Sequence, residues 1–429
     1  MVTIVVEGIG DIVSKPTGYG RALEKLKTID RANDLEVVFT DVCESWYGSD
    51  DPDLARVRQE TRKKLEAWGA RFIDKSASNS TDWKLYKELL HQEVDAVFVA
   101  TPDRHHIQIA KHWLTGNCKR IFIEKPLTND PKEAHQWMKE LETEPHDRER
   151  LIQLDHYLPK MHAEIRYENR VRQMLANIGR LKGVRFYMLE DHSGTDDDYR
   201  KEMVRNGRTD RNGPIENEGR LDALQSGVSL DLLPHLLAIL YHFGDLRTIE
   251  VDELRAARYQ GVDYTEDKLA GIKGETFAAA KFRFTDHHHR EIPAEAYVGK
   301  GIRGSRKYPS MRGNVKILEL EGAWRKIEFD FNSNIESLVG DDVQPMMDLE
   351  PDPYYYLLRD VAFERLNRGT DLGMPIRTGA LILDKIVSEI SSRTNREVLP
   401  TYKLGDKYGG LPPELEDLLE GGSQEIQPL

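Results

Sequence analysis

Short β-branched runs alternate with longer helical patterns through the first third of the chain. "TIVV" (3–6) is followed by "GYGRALEKLKTID", "LEVVFTD" (35–41) by the charged helical run "DLARVRQETRKKLEAWG", and "ARFID" by "WKLYKELLHQE". "DAVFVAT" (95–101), "HIQIAKHWLTG" and "RIFIEKP" (120–126) continue the alternation. Strands that are apolar almost throughout, separated by amphipathic helices, predict a parallel sheet covered on both faces. Residues 1–150 are therefore expected to form a doubly wound α/β domain.

Beyond "LIQLDHYL" strand-like stretches follow one another: "KGVRFYMLED" (182–191), "RTIEVDELRAARY" (247–259), "TFAAAKFRFTD" (276–286), "IPAEAYVG" (292–299) and "VKILELEGAWRKIEFDF" (315–331). Hairpin-sized gaps between consecutive strands predict an α+β domain over 151–400 with a large, mostly antiparallel sheet. A polar, Gly-rich insertion (191–226) precedes the helical "LDLLPHLLAILYHFG", two helical patterns close the domain, and 401–429 form an acidic tail.

Composition narrows the setting. The 429 residues suffice for two domains with cores of their own, and 39% hydrophobic with 31% charged residues is a globular balance. No run approaches the ~20 apolar residues of a membrane span, and "MVTIVVEGIGDIV" lacks the basic start of a signal peptide. Two cysteines, Cys43 and Cys118, argue against a disulfide framework and for a reducing, cytoplasmic compartment. A formal charge of −13 disfavours nucleic acid and anionic membranes as partners, while leaving room for a small anionic ligand at a local basic cluster.

In "EGIGDIVSKPTGYG", Gly8 and Gly10 supply the tight turn and close backbone approach that a pyrophosphate needs at a helix N-terminus, as in a Rossmann domain. The third glycine of G-x-G-x-x-G would fall at Val13, and Pro16 delays the helix, so an ordinary strand-to-helix turn is an equal reading of this element alone. Asp41 ends the second strand, where a carboxylate accepts hydrogen bonds from a ribose diol and repels a 2′-phosphate; this favours NAD, with NADP as the alternative.

"VFVATPDRHHIQIAKHWLTGNCKRIFIEKPLTND" resembles the glucose-fructose oxidoreductase and inositol dehydrogenase family (Gfo/Idh/MocA): an apolar strand, Thr101-Pro102, His106, a helix, and a strand ending in Glu124-Lys125-Pro126. The resemblance implies that Thr101, Pro102, His106 and Glu124 help to hold the cofactor and that Lys125 is catalytic. Lys125 draws attention on position alone, at the carboxyl end of a parallel strand where α/β sheets place ligands, although a solvated lysine before a helix is the plainer reading. "GVSLDLLPHLLAILYHFGD" is similar to the same family's Gly-x-x-x-Asp-x-x-x-His helix, which makes Asp231 and His235 catalytic candidates. A spacing of four puts both on one helix face, although a satisfied polar histidine in an apolar helix has the same pattern.

"QLDHYLPK" crowds a carboxylate, an imidazole, a phenol and an ammonium into Asp155–Lys160 where a strand ends. It resembles the Asp-His-Tyr-Leu-Gly-Lys segment of glucose-6-phosphate dehydrogenases, with Pro159 in place of Gly. The resemblance implies that Asp155 orients the catalytic histidine and that His156, Tyr157 and Lys160 hold a sugar phosphate; "YVGKGI" similarly offers Lys300 as a substrate contact. Solvated polar residues at a strand end would look the same. Asp231 and His235 are four apart, as in inositol dehydrogenases, whereas glucose-6-phosphate dehydrogenases have five.

The expected activity is thus an NAD(P)-dependent oxidoreductase acting on a CH–OH group of a phosphorylated sugar or cyclitol of the glucose 6-phosphate kind, in a homo-oligomer (dimer or tetramer). The alternatives are a dinucleotide- and sugar-binding regulator without turnover, and a keto-sugar reductase on an unphosphorylated substrate. "DHHHRE" (286–291) reads as a hairpin loop and not as a metal site, and no metal is expected. Arg205, Arg208 and Arg211 fit either a cap on an anionic substrate or a mobile lid.

Overall fold

The structure, a computed structural model, describes residues 2–8, 18–28, 34–41, 62–75, 78–101, 103–128, 130–155, 169–190, 227–260, 275–300, 315–331, 335–338, 344–345, 353–362, 374–380, 385 and 401–403. They belong to two compact units. Those of the first fall within 1–162 and 350–380, those of the second within 163–196, 220–349 and 381–429.

In the first unit β1 (Val2–Glu7), β2 (Leu35–Asp41), β3 (Arg71–Asp74), β4 (Ala96–Val99), β5 (Ile121–Ile123) and β6 (Leu151–Gln153) form a parallel sheet in the order β3-β2-β1-β4-β5-β6. This is the order of a doubly wound dinucleotide fold, and it reverses between β1 and β4, the point where such sheets open a crevice at their carboxyl ends. Ile4, Val5, Val6, Phe98, Ile121 and Phe122 are fully buried, as strands covered on both faces require.

Helix α1 (Tyr19–Thr28) lies on one face through Tyr19, Leu23 and Leu26. A single cut near residue 150 does not describe this unit. The short β15 (Met374–Pro375) pairs antiparallel with β6, and a further helix (Pro353–Ala362) places Tyr354, Leu357, Leu358 and Val361 in the same core as Tyr19, Phe39 and Phe98. Chain from far downstream completes the core because its apolar face finds an uncovered part of this sheet.

In the second unit β7 (Leu181–Glu190), β8 (Gly244–Gln260), β9 (Phe277–Asp286), β10 (Glu291–Lys300), β11 (Val315–Gly322), β12 (Lys326–Asp330), β13 (Ile335–Leu338), β14 (Gln344–Pro345) and β16 (Thr401–Lys403) form one sheet, ordered β14-β13-β12-β11-β7-β10-β9-β8-β16. Its pairs are antiparallel except β10–β7 and β16–β8. Residues 401–403 of the expected tail therefore belong to the sheet. The stretch 315–331, one run by its pattern, is a hairpin: Gly322 donates to the Arg325 carbonyl at 2.8 Å and lies so close to the Ile178 carbonyl that a Cβ would come within 2.2 Å of it.

A helix at Val228–Leu240 packs on β8, β9 and β10, and every residue in it except Asp231 is buried. Phe282 and Ala280 of β9 are buried, while Lys281 and Arg283, pointing to the other face by the strand period of two, pair with Glu253 and with Asp252 and Glu291. Among the described residues no helix is long and apolar enough to cross a membrane.

Candidate active site

In the first unit the parallel register brings the candidate residues to one edge. Glu7 is level with Val99, Val99 with Ile123, and Ile123 with Gln153. The ladder runs one step further through Ala100 N–H to the Glu7 carbonyl (2.9 Å), Glu124 N–H to Val99 (3.1 Å) and Leu154 N–H to Ile123 (2.7 Å). Thr101, Lys125 and Asp155 are each one residue beyond that line, so a hydroxyl, an ammonium and a carboxylate share the carboxyl edge of neighbouring strands.

Two features of this edge fit a dinucleotide. Gly8, at φ +98°, brings β1 so close to β4 that a Cβ would come 2.8 Å from the Ala100 carbonyl oxygen. Thr101 Oγ1 is buried with no hydrogen-bond partner among the described residues, an acceptor and donor left over at the crevice. Asp41, 2% exposed, ends β2.

Glu124 and His106 spend their polar atoms on the protein. Tyr19 Oη donates to Glu124 Oε1 at 2.7 Å. The His106 ring has the Thr101 carbonyl oxygen 2.7 Å from Nε2 and the Pro126 carbonyl oxygen 2.8 Å from Nδ1. Burial pushes this imidazole down to about 4, against the pull of the two carbonyls toward the charged form. The Tyr19–Glu124 bond, and the one carbonyl that the single N–H of the neutral His106 ring serves, help to shape the edge.

Sequence reasoning missed a group at this edge with four partners among the described residues, Glu7. Its buried carboxylate accepts hydrogen bonds from Thr40 Oγ1 (2.6 Å), Tyr86 Oη (2.9 Å) and Trp113 Nε1 (2.6 Å) and pairs with Lys75. Burial works against its charge, yet Lys75, Thr40 and Trp113 hold the carboxyl below its ordinary range. The available signal was a carboxylate closing a β-branched run immediately before the Gly-rich loop.

In the second unit the helix at Val228–Leu240 carries Asp231 and His235 one turn apart. Glu275 holds its start: the carboxylate accepts the Ser229 N–H at 2.9 Å and the backbone carbonyl accepts the Val228 N–H at 3.1 Å. Burial pushes the Glu275 carboxyl up, and Gly227, at φ +90°, leaves no space for a Cβ beside it. His235 is 2% exposed. Asp231 is ion-paired with Lys300, whose strand neighbour in register is Glu190; Lys300 Nζ is 3.9 Å from Glu190 Oε2, and Lys316 Nζ is 3.3 Å from Glu190 Oε1. Two carboxylates and two ammonium groups thus alternate from the helix across three strands. Gly10, Pro102, His156, Tyr157, Lys160, Arg205, Arg208 and Arg211 lie outside the described residues.

Fold and edge define a Rossmann domain of the dinucleotide-binding kind. Residues 38–147 match the Gfo/Idh/MocA oxidoreductase family, NAD-binding Rossmann fold. Among solved structures, glucose-6-phosphate 1-dehydrogenase from Mycobacterium avium is similar over 94% of this chain and 93% of its own (14% identity, TM-score 0.58). UDP-N-acetylglucosamine 3-dehydrogenase from Acidithiobacillus ferrooxidans is similar over 90% and 95% (15%, TM-score 0.52). A 3-ketoreductase from Actinomadura kijaniata, in complex with TDP-benzene and NADP, is similar over 94% and 98% (14%, TM-score 0.52). At these identities the likeness is one of fold. No curated protein matches the chain.

Proposed function

We propose that the chain is an NAD(P)-dependent oxidoreductase that moves a hydride between a nicotinamide and a hydroxyl-bearing carbon of a sugar or cyclitol. The observation that carries this reading is Lys125, which stands on the carboxyl edge of the Rossmann sheet inside the segment matching an NAD-binding oxidoreductase family. Two proteins of like fold are named as dehydrogenases of glucose 6-phosphate and of UDP-N-acetylglucosamine, an analogy that favours a sugar. The bound nicotinamide supplies the hydride acceptor.

Lys125 hydrogen-bonds the reacting oxygen and offsets the negative charge that grows there as its proton leaves. His235, with Asp231 on the same helix face to orient the imidazole and steady its cation, is the general-base candidate of the second unit. Asp155, at the level of Lys125 on the next strand, adds a carboxylate to the same edge. Asp41 receives the ribose diol, which favours NAD over NADP. A phosphate on the substrate falls to His156, Tyr157 and Lys160 by their resemblance to glucose-6-phosphate dehydrogenases, turning remote binding energy into orientation. Lys300, ion-paired with Asp231, is a further candidate for a substrate contact. The acid–base set Lys125, Asp231 and His235 has no use in a regulator without turnover.

The test is reduced-nicotinamide absorbance with NAD and NADP in parallel, against sugars and cyclitols paired with their phosphates. Turnover confined to phosphorylated members, faster with NAD, is the expected result. Bound cofactor without turnover on any member would put the regulator in place of the enzyme. Lys300→Met should lower kcat by about 10- to 100-fold through loss of alignment at Asp231, with equal effect on phosphorylated and free substrates. A loss confined to phosphorylated substrates would make Lys300 a phosphate contact after all.

A further inference from the structure

We propose that Glu275 is a positioning residue, a cap supplied from the sheet that sets the start of the helix at Val228–Leu240 against the end of β10 and so aligns Asp231 with Lys300. The proposal rests on the reading that Asp231 and His235 act in the reaction.

The first four N–H groups of a helix have no partner within it, and a Ser, Thr, Asp or Asn just before them ordinarily supplies an oxygen from the same stretch of chain. Here that place is held by Gly227, which has no side chain to offer. Glu275, 46 residues on from Ser229, takes over the task. Its backbone carbonyl accepts from Val228 N–H at 3.1 Å and its carboxylate from Ser229 N–H at 2.9 Å, so each donor meets an oxygen of its own. Successive N–H groups lie about 100° apart around a helix axis, and two bonds to one residue therefore fix the helix start in rotation as well as in place. A Cβ on Gly227 would come 1.9 Å from Glu275 Oε2, so the glycine is what lets the carboxylate in.

The next residue holds the other side. Thr276 N–H donates to the Ala257 carbonyl of β8 at 3.0 Å, and the Thr276 carbonyl accepts from Lys300 N–H at 3.0 Å. Adjacent residues at the start of β9 thus tie both the helix turn that carries Asp231 and the strand end that carries Lys300, whose side chains form an ion pair. His235 follows Asp231 by one turn, so a displaced helix start is passed on to it. A cap from the helix's own chain would steady the helix without registering it on the sheet; a cap from the edge of β9 does both. Glu275 is 1% exposed, and an apolar residue there would avoid the cost of burying a carboxyl, which points to the bonds as the reason for the residue.

The experiment compares Glu275→Leu and Glu275→Gln in the full chain, by amide hydrogen exchange and by steady-state kinetics with NAD and glucose 6-phosphate. In Glu275→Leu the Ser229 amide should lose protection by about tenfold or more while the amides of Leu236–Leu240 keep theirs. Turnover should fall by about 10- to 100-fold with the substrate KM changed less than about twofold. Glu275→Gln keeps an acceptor oxygen and should recover most of both losses. If Glu275→Leu does not fold, Glu275→Asp, whose carboxylate stops one methylene short of Ser229, takes its place with losses in the same two measurements. Unchanged protection at Ser229, an equal loss along the whole helix, or a Glu275→Gln chain as impaired as Glu275→Leu overturns the cap. Normal turnover in a chain whose Ser229 amide has opened, or a loss found wholly in KM, overturns the positioning role. If His235→Ala turned over normally, or the native chain left glucose 6-phosphate untouched, the reading of the reaction would fail, whereas the exchange pattern would still report on the cap.

Discussion

Lys125→Ala is expected to lower kcat by about 10²–10³-fold while dinucleotide binding is kept, the loss typical of removing one preorganised donor from a developing oxyanion. The expectation follows from position. Lys125 is half-buried on the carboxyl edge, next to Glu124, whose carboxylate accepts from Tyr19 Oη. Lys125→Arg should not restore the rate, since a planar guanidinium on a longer stem presents its donors elsewhere. His235→Ala should cost about 10²–10⁴-fold as the general base is removed. Single-turnover measurements at saturating substrate separate chemistry from binding. A folded Lys125→Ala chain with near-normal turnover would remove this residue from the chemistry.

The second large effect concerns stability. Glu7→Ala should destabilise the first unit by about 3–5 kcal/mol, the cost of leaving one member of a buried ion pair alone. It strands the Lys75 ammonium, 9% exposed in its side chain, together with the buried donors of Thr40, Tyr86 and Trp113. Glu7→Gln keeps the shape and removes the charge, which exposes the pH dependence. The Glu7 carboxyl is held below its ordinary 4.5, so its stabilisation is complete above that value and is lost as pH falls through the folded-state pKa. Denaturant titration of the native chain and of Glu7→Gln should therefore differ most at neutral pH and converge in acid. A gap under about 1 kcal/mol at neutral pH would show that water reaches the network.

Much of the first unit was legible because each element carries its own pattern. The run 35–41, apolar but for Glu36 and its last two residues Thr40 and Asp41, is β2 over those residues. The strand ends that hold Thr101, Glu124 and Lys125 could be placed because polar residues stop the apolar runs there. Reading 315–331 as one strand failed because the alternation passes through "EGAWR" without a strong turn signal, and what makes the turn is the Ile178 carbonyl, far away in sequence. The ion pair of Lys300 met the same limit: its partner Asp231 lies on a helix whose place against β10 no local pattern reports.

The sequence by itself determined the elements, their alternation and the residue types at the strand ends, because amphipathic repeats are written within ten residues or so of chain. Tertiary structure alone decided who meets whom. Glu7 reaches Thr40, Lys75, Tyr86 and Trp113 at separations of 33, 68, 79 and 106 residues, and those pairings exist only once the strand order is set. The physical reason is that burial selects partners: a carboxylate closed off from water at the end of β1 must collect whatever donors the neighbouring strands and helices deliver to it.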